Sequence, residues 1–373
     1  MLGRSKYSVL LRPLAYLYGL GVGLRNLAFA CGLLPERSYP IPIICVGNIC
    51  VGGTGKTPHV EYVLSLLVPR YRVAVLSRGY KRRTKGQIVA QPTHTAEDIG
   101  DEPRQILSKY PEITLVVDGN RRRAMDYLMS LDESERPEVV VMDDGLQHRY
   151  VRPSYRIMLV DYAQLLTDDR LMPEGRLREP ARARYRMNCV IVTKCPEELR
   201  ATERRGIERS LALRPWQRLF FTRIEAVRDK LRPLTSLLPE RASATEATLA
   251  LSSEQSVFLL SGIAGPEAFA ESLGPYCHIV GEQHYGDHHN YSADELKDLE
   301  QRWQSLVGKH PELIILTTEK DAMRLAALSE SLSPAFIARI YYLPIRVLVP
   351  ERERELDRQI LLAAKAKPQS LQG

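Results

Sequence analysis

The apolar N-terminus of this sequence contains no uninterrupted run long enough to cross a bilayer. Its longest charge-free stretch, Pro13 to Leu24, is bracketed by Arg12 and Arg25 and carries Gly19, Gly21 and Gly23, whereas a spanning helix needs about 20 apolar residues. A cleaved signal peptide is not expected, because Arg25 falls where its small-residue cleavage site belongs. The six cysteines are scattered without a CxxC pair, so buried free thiols in a reducing compartment are expected. No zinc-finger spacing, RNA-binding signature or internal repeat is present, and nucleic acid is not expected as a partner. Acidic charge is the scarcer sign, and the resulting net charge of +7 favours an anionic partner: a nucleic acid, an anionic membrane or a phosphorylated substrate.

A chain of 373 residues is long enough for about two domains with a sizeable core in each. Its 44% hydrophobic and 26% charged content argues against disorder. From residue 41 short apolar runs alternate with helical stretches. Ile41 to Val46, Val73 to Leu76, Thr114 to Val117, Val139 to Met142, Ile157 to Val160 and Val190 to Val192 read as buried parallel strands. Pro58 to Leu67, Glu102 to Tyr110 and Arg121 to Leu131 read as helices between some of them. This alternation predicts an α/β fold, a parallel sheet with helices on both faces. Residues 226–255 break the rhythm and are read as an interdomain connection. A second, smaller α/β domain is expected over 256–350, with strands at Val257 to Leu260, His278 to Val280 and Leu313 to Leu316 and helices at Pro266 to Leu273 and Ala293 to Val307. Residues 35–225 form the expected first domain, and 351–373 a charged tail with a terminal helix.

Leu10, Leu14, Leu17, Leu24 and Ala28 share one helical face, with Arg4, Lys6, Arg12 and Arg25 beside it. The pattern of residues 1–34 suits a helix lying in the headgroup plane of an anionic leaflet. It equally describes an N-terminal helix packed on the core.

The run Val46-Gly47-Asn48-Ile49-Cys50-Val51-Gly52-Gly53-Thr54-Gly55-Lys56-Thr57 follows a strand and opens a helix, the context of a phosphate-binding loop. Val51 through Gly55 would turn backbone N–H groups toward phosphates at a helix N-terminus. Lys56 would reach the β- and γ-phosphates, and Thr57 would ligate Mg2+. Cys50 departs from the strict pattern, which places glycine there. Val139 to Met142 ends in Asp143, Asp144 and Gly145. Carboxylates at the end of a parallel strand can hold a nucleotide's magnesium, although Asp-Gly is also a common turn pair. Thr193-Lys194-Cys195-Pro196 lacks the aspartate that would pair with guanine, which favours ATP.

Further motifs follow in order: Gly100-Asp101-Glu102-Pro103, Asp118-Gly119-Asn120-Arg121-Arg122, Asp143-Asp144-Gly145-Leu146-Gln147-His148, Gly175-Arg176-Leu177-Arg178-Glu179-Pro180, Asp287-His288-His289-Asn290-Tyr291 and Thr317-Thr318-Glu319-Lys320-Asp321. Together with the loop they closely resemble the tetraacyldisaccharide 4'-kinase family, the lipid A 4'-kinases of Gram-negative bacteria, from about residue 6 to 350. The resemblance implies ATP- and Mg2+-dependent transfer to the 4'-hydroxyl of an anionic lipid disaccharide 1-phosphate, forming lipid IVA at the cytoplasmic face of the inner membrane. It also implies two α/β/α domains joined by a two-stranded hinge, and a membrane-associating N-terminal helix. A membrane-associated NTPase switch that phosphorylates no acceptor is the competing class. A monomer is expected.

The resemblance also distributes roles. Asp101 is the candidate base that accepts the hydroxyl proton, or else a helix N-cap. Glu102 joins the metal set or favours the helix dipole. His288, preferred to His289, would orient the base, and these adjacent histidines are not spaced for one zinc ion. Glu179 is a candidate magnesium ligand, or a surface acid before Pro180. Arg121 and Arg122 are phosphate contacts or a solvated helix face. Tyr80, Gln147 and His148 are substrate-side positions. Lys320 and Asp321 serve structure or nucleotide contacts.

Overall fold

The computed structural model describes residues 10–238, 248–263, 265–287 and 289–366. Arg4, Lys6 and His288 lie outside the described residues. Helix α1 (Arg12–Ala30) leads to β1 (Ile43–Gly47), α2 (Lys56–Leu67), β2 (Val73–Ser77), β3 (Ile88–Val89), α3 (Ala96–Ile99), α4 (Asp101–Lys109), β4 (Thr114–Val117), α5 (Arg121–Ser130), β5 (Val139–Asp143), β6 (Tyr155–Asp161), β7 (Cys189–Thr193), α6 (Ala201–Leu211) and β8 (Arg218–Phe221). The strands form one eight-stranded sheet in the order β3-β4-β2-β5-β1-β6-β7-β8. Only β3 runs antiparallel to its neighbour.

The continuous apolar runs are explained by this topology: every residue of β1, β2, β5 and β7 is buried, as strands covered on both faces must be. Alternation decides which face each side chain meets. Ile44 and Val46 pack with Val60, Leu64 and Leu67 of α2, while Ile43 and Cys45 pack with Ala124, Met125 and Leu128 of α5. Each such side chain contributes about 1.5–3 kcal/mol by leaving water.

The remaining elements are β9 (Arg223–Ala226), β10 (Arg232–Pro233), β11 (Ser256–Ser261), α7 (Pro266–Leu273), β12 (His278–His284), α8 (Ala293–Val307), β13 (Ile314–Thr318), α9 (Glu319–Ala326), α10 (Pro334–Ile337), β14 (Ile340–Leu343), β15 (Ile345–Leu348) and α11 (Glu353–Lys365). A second sheet has the order β10-β14-β13-β11-β12, and β9 pairs antiparallel with β15 in a two-stranded ribbon.

The chain departs from the sequence reading in two places. Residues 226–255 are not only a connection. β10 pairs with β14, Leu231 bridges to Leu249, and Leu234 is fully buried in the second core. Pro233 is tolerated because β10 is an edge strand that need not donate on both sides. The tail also returns to the first sheet. Leu356, Ile360, Ala363 and Ala364 make an apolar stripe at helical spacing that packs α11 beside α2. Five of the free cysteines, Cys45, Cys50, Cys189, Cys195 and Cys277, are buried, while Cys31 is exposed.

The two sheets meet through α2, α4 and α9. Lys109 Nζ lies 2.7 Å from Glu61 Oε2 and 2.5 Å from Glu319 Oε1. Gln105 Nε2 donates to Glu61 Oε1 at 2.8 Å and to Glu319 Oε2 at 3.2 Å. Burial pushes Glu61 up to about 7, with Lys109 pulling against it. One lysine between two buried carboxylates ties the units together, because separating them strands charge in a low dielectric.

His59, in the first turn of α2, is also buried. Its Nδ1–H donates to the Gly55 carbonyl at 2.7 Å, and its Nε2 lies 2.9 Å from the Thr222 hydroxyl. Burial pushes the ring down from 6.5 to about 4, against the Gly55 bond. A depressed histidine favours folding above its unfolded value, and that contribution is lost as pH falls through the folded one. Denaturant unfolding is therefore expected to lose up to about 3 kcal/mol from this residue between those limits. His59→Gln removes that part of the acid sensitivity; an unchanged pH slope in the variant would contradict the assignment.

Candidate functional site

β1 delivers the chain into the loop at the centre of the first sheet. Gly55 caps α2 in the left-handed region with φ 77°, and a Cβ there would sit 2.5 Å from Ile224 Cδ1 on β9. The backbone conformation demands glycine, and a Cβ would in addition displace the tip of the Ile224 side chain. The interior of the loop is held by Asn48 Nδ2 donating to Thr54 Oγ1 at 2.8 Å. Its front is stitched to a neighbouring segment: Val51 N donates to Arg176 O, Arg178 N donates to Ile49 O, and Cys50 forms an antiparallel bridge with Leu177. That bridge explains the cysteine, since an extended backbone accepts any residue.

The parallel register Val46↔Asp143 sets the acidic end of β5 level with the start of the loop. Lys56 Nζ stands 3.7 Å from Asp144 Oδ2, and Arg178 Nη1 lies 3.4 Å from the same oxygen. Asp143 is buried and accepts from Ser77 Oγ at 3.0 Å. Burial, then Glu102 and Asp144, push it up to about 7, while Lys56 and Ser77 pull it down. Asp143 Oδ1 and Asp144 Oδ1 are buried without a hydrogen-bond partner. Such orphaned acceptors beside a lysine fit a magnesium ion. Among the described residues no group of three acid, histidine or cysteine side chains could hold a metal alone. Magnesium commonly takes one or two carboxylates and completes its shell with phosphates and water.

Asp101 opens α4, but the N-cap is Gly100, at φ 96° and with no room for a side chain against Gly79. The capping alternative for Asp101 is therefore set aside. Its carboxylate instead meets Arg324 of α9. Arg324 escaped the sequence reading; its only signal is the spacing of three residues from Asp321 on one helical face. Lys320 reaches the same cleft: burial pushes its ammonium down, and Glu102, Asp287 and Asp101 pull it back up. His288 lies outside the described residues. His289 has its ring stacked on Tyr285 and its Nε2 at 3.1 Å from Glu295 Oε1.

Gln147, His148 and Glu179 lie beneath α1, with Arg121 and Arg122 beside His148. Arg121 is no solvated face: it is buried, donating to Asp118 O at 2.8 Å and Asp143 O at 3.4 Å. Arg122 lies over the Tyr150 ring, and Gln147 Nε2 donates to Asn48 O. Burial, then Arg121, Arg25 and Arg122, push His148 down to about 4. Glu179 is buried rather than a surface acid, and it is held by Arg186 and by Asn26 of α1. Tyr80 is largely exposed in the loop after β2.

Comparisons with known proteins agree with this geometry. The sequence matches the family model described as tetraacyldisaccharide-1-P 4'-kinase over residues 7–365. A tetraacyldisaccharide 4'-kinase of Porphyromonas gingivalis is 48% identical over 337 residues, spanning 90% of this chain and 91% of the relative. One from Parabacteroides distasonis is 42% identical over 358 residues, spanning 95% and 94%. The crystal structure of "apo" form LpxK from Aquifex aeolicus in complex with ATP is 26% identical, covers 95% of this chain and 99% of its own, and superposes with a TM-score of 0.71. Lys56→Ala and Asp143→Ala are each expected to abolish phosphoryl transfer while circular dichroism and melting remain near the parent. Transfer surviving in a folded variant would remove that residue from the site.

Proposed function

The chain belongs to the tetraacyldisaccharide-1-phosphate 4'-kinase family, and from that premise we infer how it transfers the γ-phosphate of ATP to the 4'-hydroxyl of tetraacyldisaccharide 1-phosphate, forming lipid IVA in lipid A biosynthesis. The observation that carries the reading is the convergence of three things in one cleft: the loop ending β1, the carboxylates ending β5 and the acid opening α4. The competing switch reading is not favoured, since it leaves the acid opening α4 without a task.

The loop N–H groups, Lys56 and the N-terminus of α2 bind the triphosphate and orient its γ-phosphorus. Thr57 and Asp143 would hold magnesium, with Asp144 and Glu102 adding to the acidic field; the ion would neutralise charge between the β- and γ-phosphates. A sugar hydroxyl is a poor nucleophile. As its oxygen bonds to phosphorus, its proton passes to the Asp101 carboxylate, and the bond from γ-phosphorus to the bridging oxygen breaks to release ADP. Arg25, Arg121 and Arg122 surround a neutral His148, which gives the floor beneath α1 a positive field suited to an anionic acceptor.

Helix α1 divides its faces sharply. Ala15 and Phe29 are buried, Tyr18 Oη donates to Arg178 O, and Arg25 donates to Gln147 O. The opposite face exposes Leu14, Leu17, Leu20, Leu24 and Leu27. No described helix is long and apolar enough to cross a membrane. That face therefore supports seating of the helix in the cytoplasmic leaflet of the inner membrane, with the acceptor drawn from the bilayer directly into the cleft.

Radiolabelled γ-phosphate transfer is expected only when a detergent-dispersed disaccharide lipid 1-phosphate is supplied; acceptor-independent hydrolysis at the same rate would contradict the kinase reading. Flotation with anionic liposomes is expected to fail for the double variant Leu17→Asp, Leu24→Asp, while its ATP binding persists. Unchanged flotation would refute the seating of α1.

A further inference from the structure

One chain of contacts crosses the cleft without a task in the mechanism so far. In the smaller unit, Thr318 caps α9 and its Oγ1 donates to Asp321 Oδ2 at 2.7 Å. Gly262 N donates to the same oxygen at 2.9 Å. The fully buried Asp321 then accepts from Arg324 Nη1 through Oδ1 at 3.2 Å, and the same nitrogen donates to the His289 carbonyl at 3.2 Å. With one edge of the guanidinium anchored in this way, its other edge reaches out of the unit. Nε stands 3.2 Å from Asp101 Oδ2, and Nη2 donates to that oxygen as well. Burial works against this charge, yet the Asp101 bond and the charges of Asp101 and Asp321 hold its pKa above the ordinary arginine value.

Position makes the contact informative. Asp101 lies in the first turn of α4, beyond Gly79 and Gly100, both at positive φ. The arginine from across the cleft supplies two charged donors to one oxygen, which fixes the position of Oδ2. Surface ion pairs contribute little, but here the Arg324 side chain is 7% exposed and the Asp101 side chain 21% exposed, so the pair is poorly screened.

We propose that Arg324 is the positioning residue of the acceptor base: from the smaller unit it aims the Asp101 carboxylate, so that proton removal depends on the docking of the two units. The proposal rests on the reading of Asp101 as the base. Arg324 itself touches neither nucleotide nor acceptor in this account. It changes no bond; the proton still moves from the hydroxyl to Asp101.

The test uses the full chain and the γ-phosphate transfer assay, with Arg324→Gln, Arg324→Lys, Arg324→Ala, Asp101→Asn and the double variant Arg324→Gln, Asp101→Asn. Misdirecting a reacting group by a fraction of a bond length costs about 10- to 100-fold in rate, so kcat of Arg324→Gln is expected to fall by that factor with KM for ATP little changed. Arg324→Lys keeps the buried charge but loses the paired donors, and is expected to fall between the two. Added guanidinium ion is expected to restore part of the rate of Arg324→Ala. In the Asp101→Asn background the Arg324→Gln change is expected to cost nothing further, because the group it acts through is already gone.

A wild-type kcat in folded Arg324→Gln would overturn the proposal, and so would a full additional loss in the double variant. Should Arg324→Gln fail to fold, Arg324→Lys decides: a wild-type kcat there overturns the proposal, and a reduced kcat with unchanged KM supports it. Near-normal turnover of Asp101→Asn would instead sink the base assignment, an outcome distinct from failure of Arg324.

Discussion

Everything in the site depends on the parallel pairing of β1 with β5. That pairing sets Val46 opposite Asp143, so the strand that enters the phosphate loop and the strand that ends in carboxylates finish at the same level. Ligands of open α/β sheets bind at the carboxyl ends of the strands for this reason. The consequence is electrostatic. Asp143 is buried beside Asp144 and Glu102, an arrangement that raises its proton affinity and leaves buried oxygens without donors. A protein tolerates such a cluster where a cation and a triphosphate complete it.

The second unit matters because it reaches into the site of the first. α4 begins with a glycine cap, and its leading carboxylate is held from α9. Deeper in the same interface, Lys109 sits between Glu61 and Glu319. The ribbon of β9 and β15 adds a third connection, and Ile224 on β9 leans against Gly55 of the loop. The units are therefore in physical contact at three places, one of them the phosphate loop itself. A substitution at Gly55 is felt by the ribbon as well as by the phosphates.

Much of this was legible in the sequence. The buried strands announced themselves as continuous apolar runs. The helix Ala293–Val307 matched its reading because Ser292 and Glu295 form a capping box ahead of a periodic apolar stripe. The loop was legible despite Cys50, and the structure shows why the deviation is harmless: that residue pairs in extended form with Leu177. What the sequence concealed were partners far apart in the chain. Arg324 and Asp101 are 223 positions apart, and nothing local to either predicts the other. The return of α11 to the first sheet was hidden likewise, since a charged amphipathic helix carries no mark of the surface it will cover. Arg121 was read as a phosphate contact or a solvated helix face, and the fold sets the second aside by burying it with its guanidinium donating to the Asp143 carbonyl.

Titration calorimetry of the folded protein with adenosine triphosphate tests the central claim most directly. Backbone amides after β1 and Lys56 should take up the nucleotide in the presence of magnesium, with uptake weakened when the metal is chelated. Absence of any magnesium-dependent binding by a protein whose melting curve shows it folded would contradict the account, and the loop would then be a turn of the fold and nothing more.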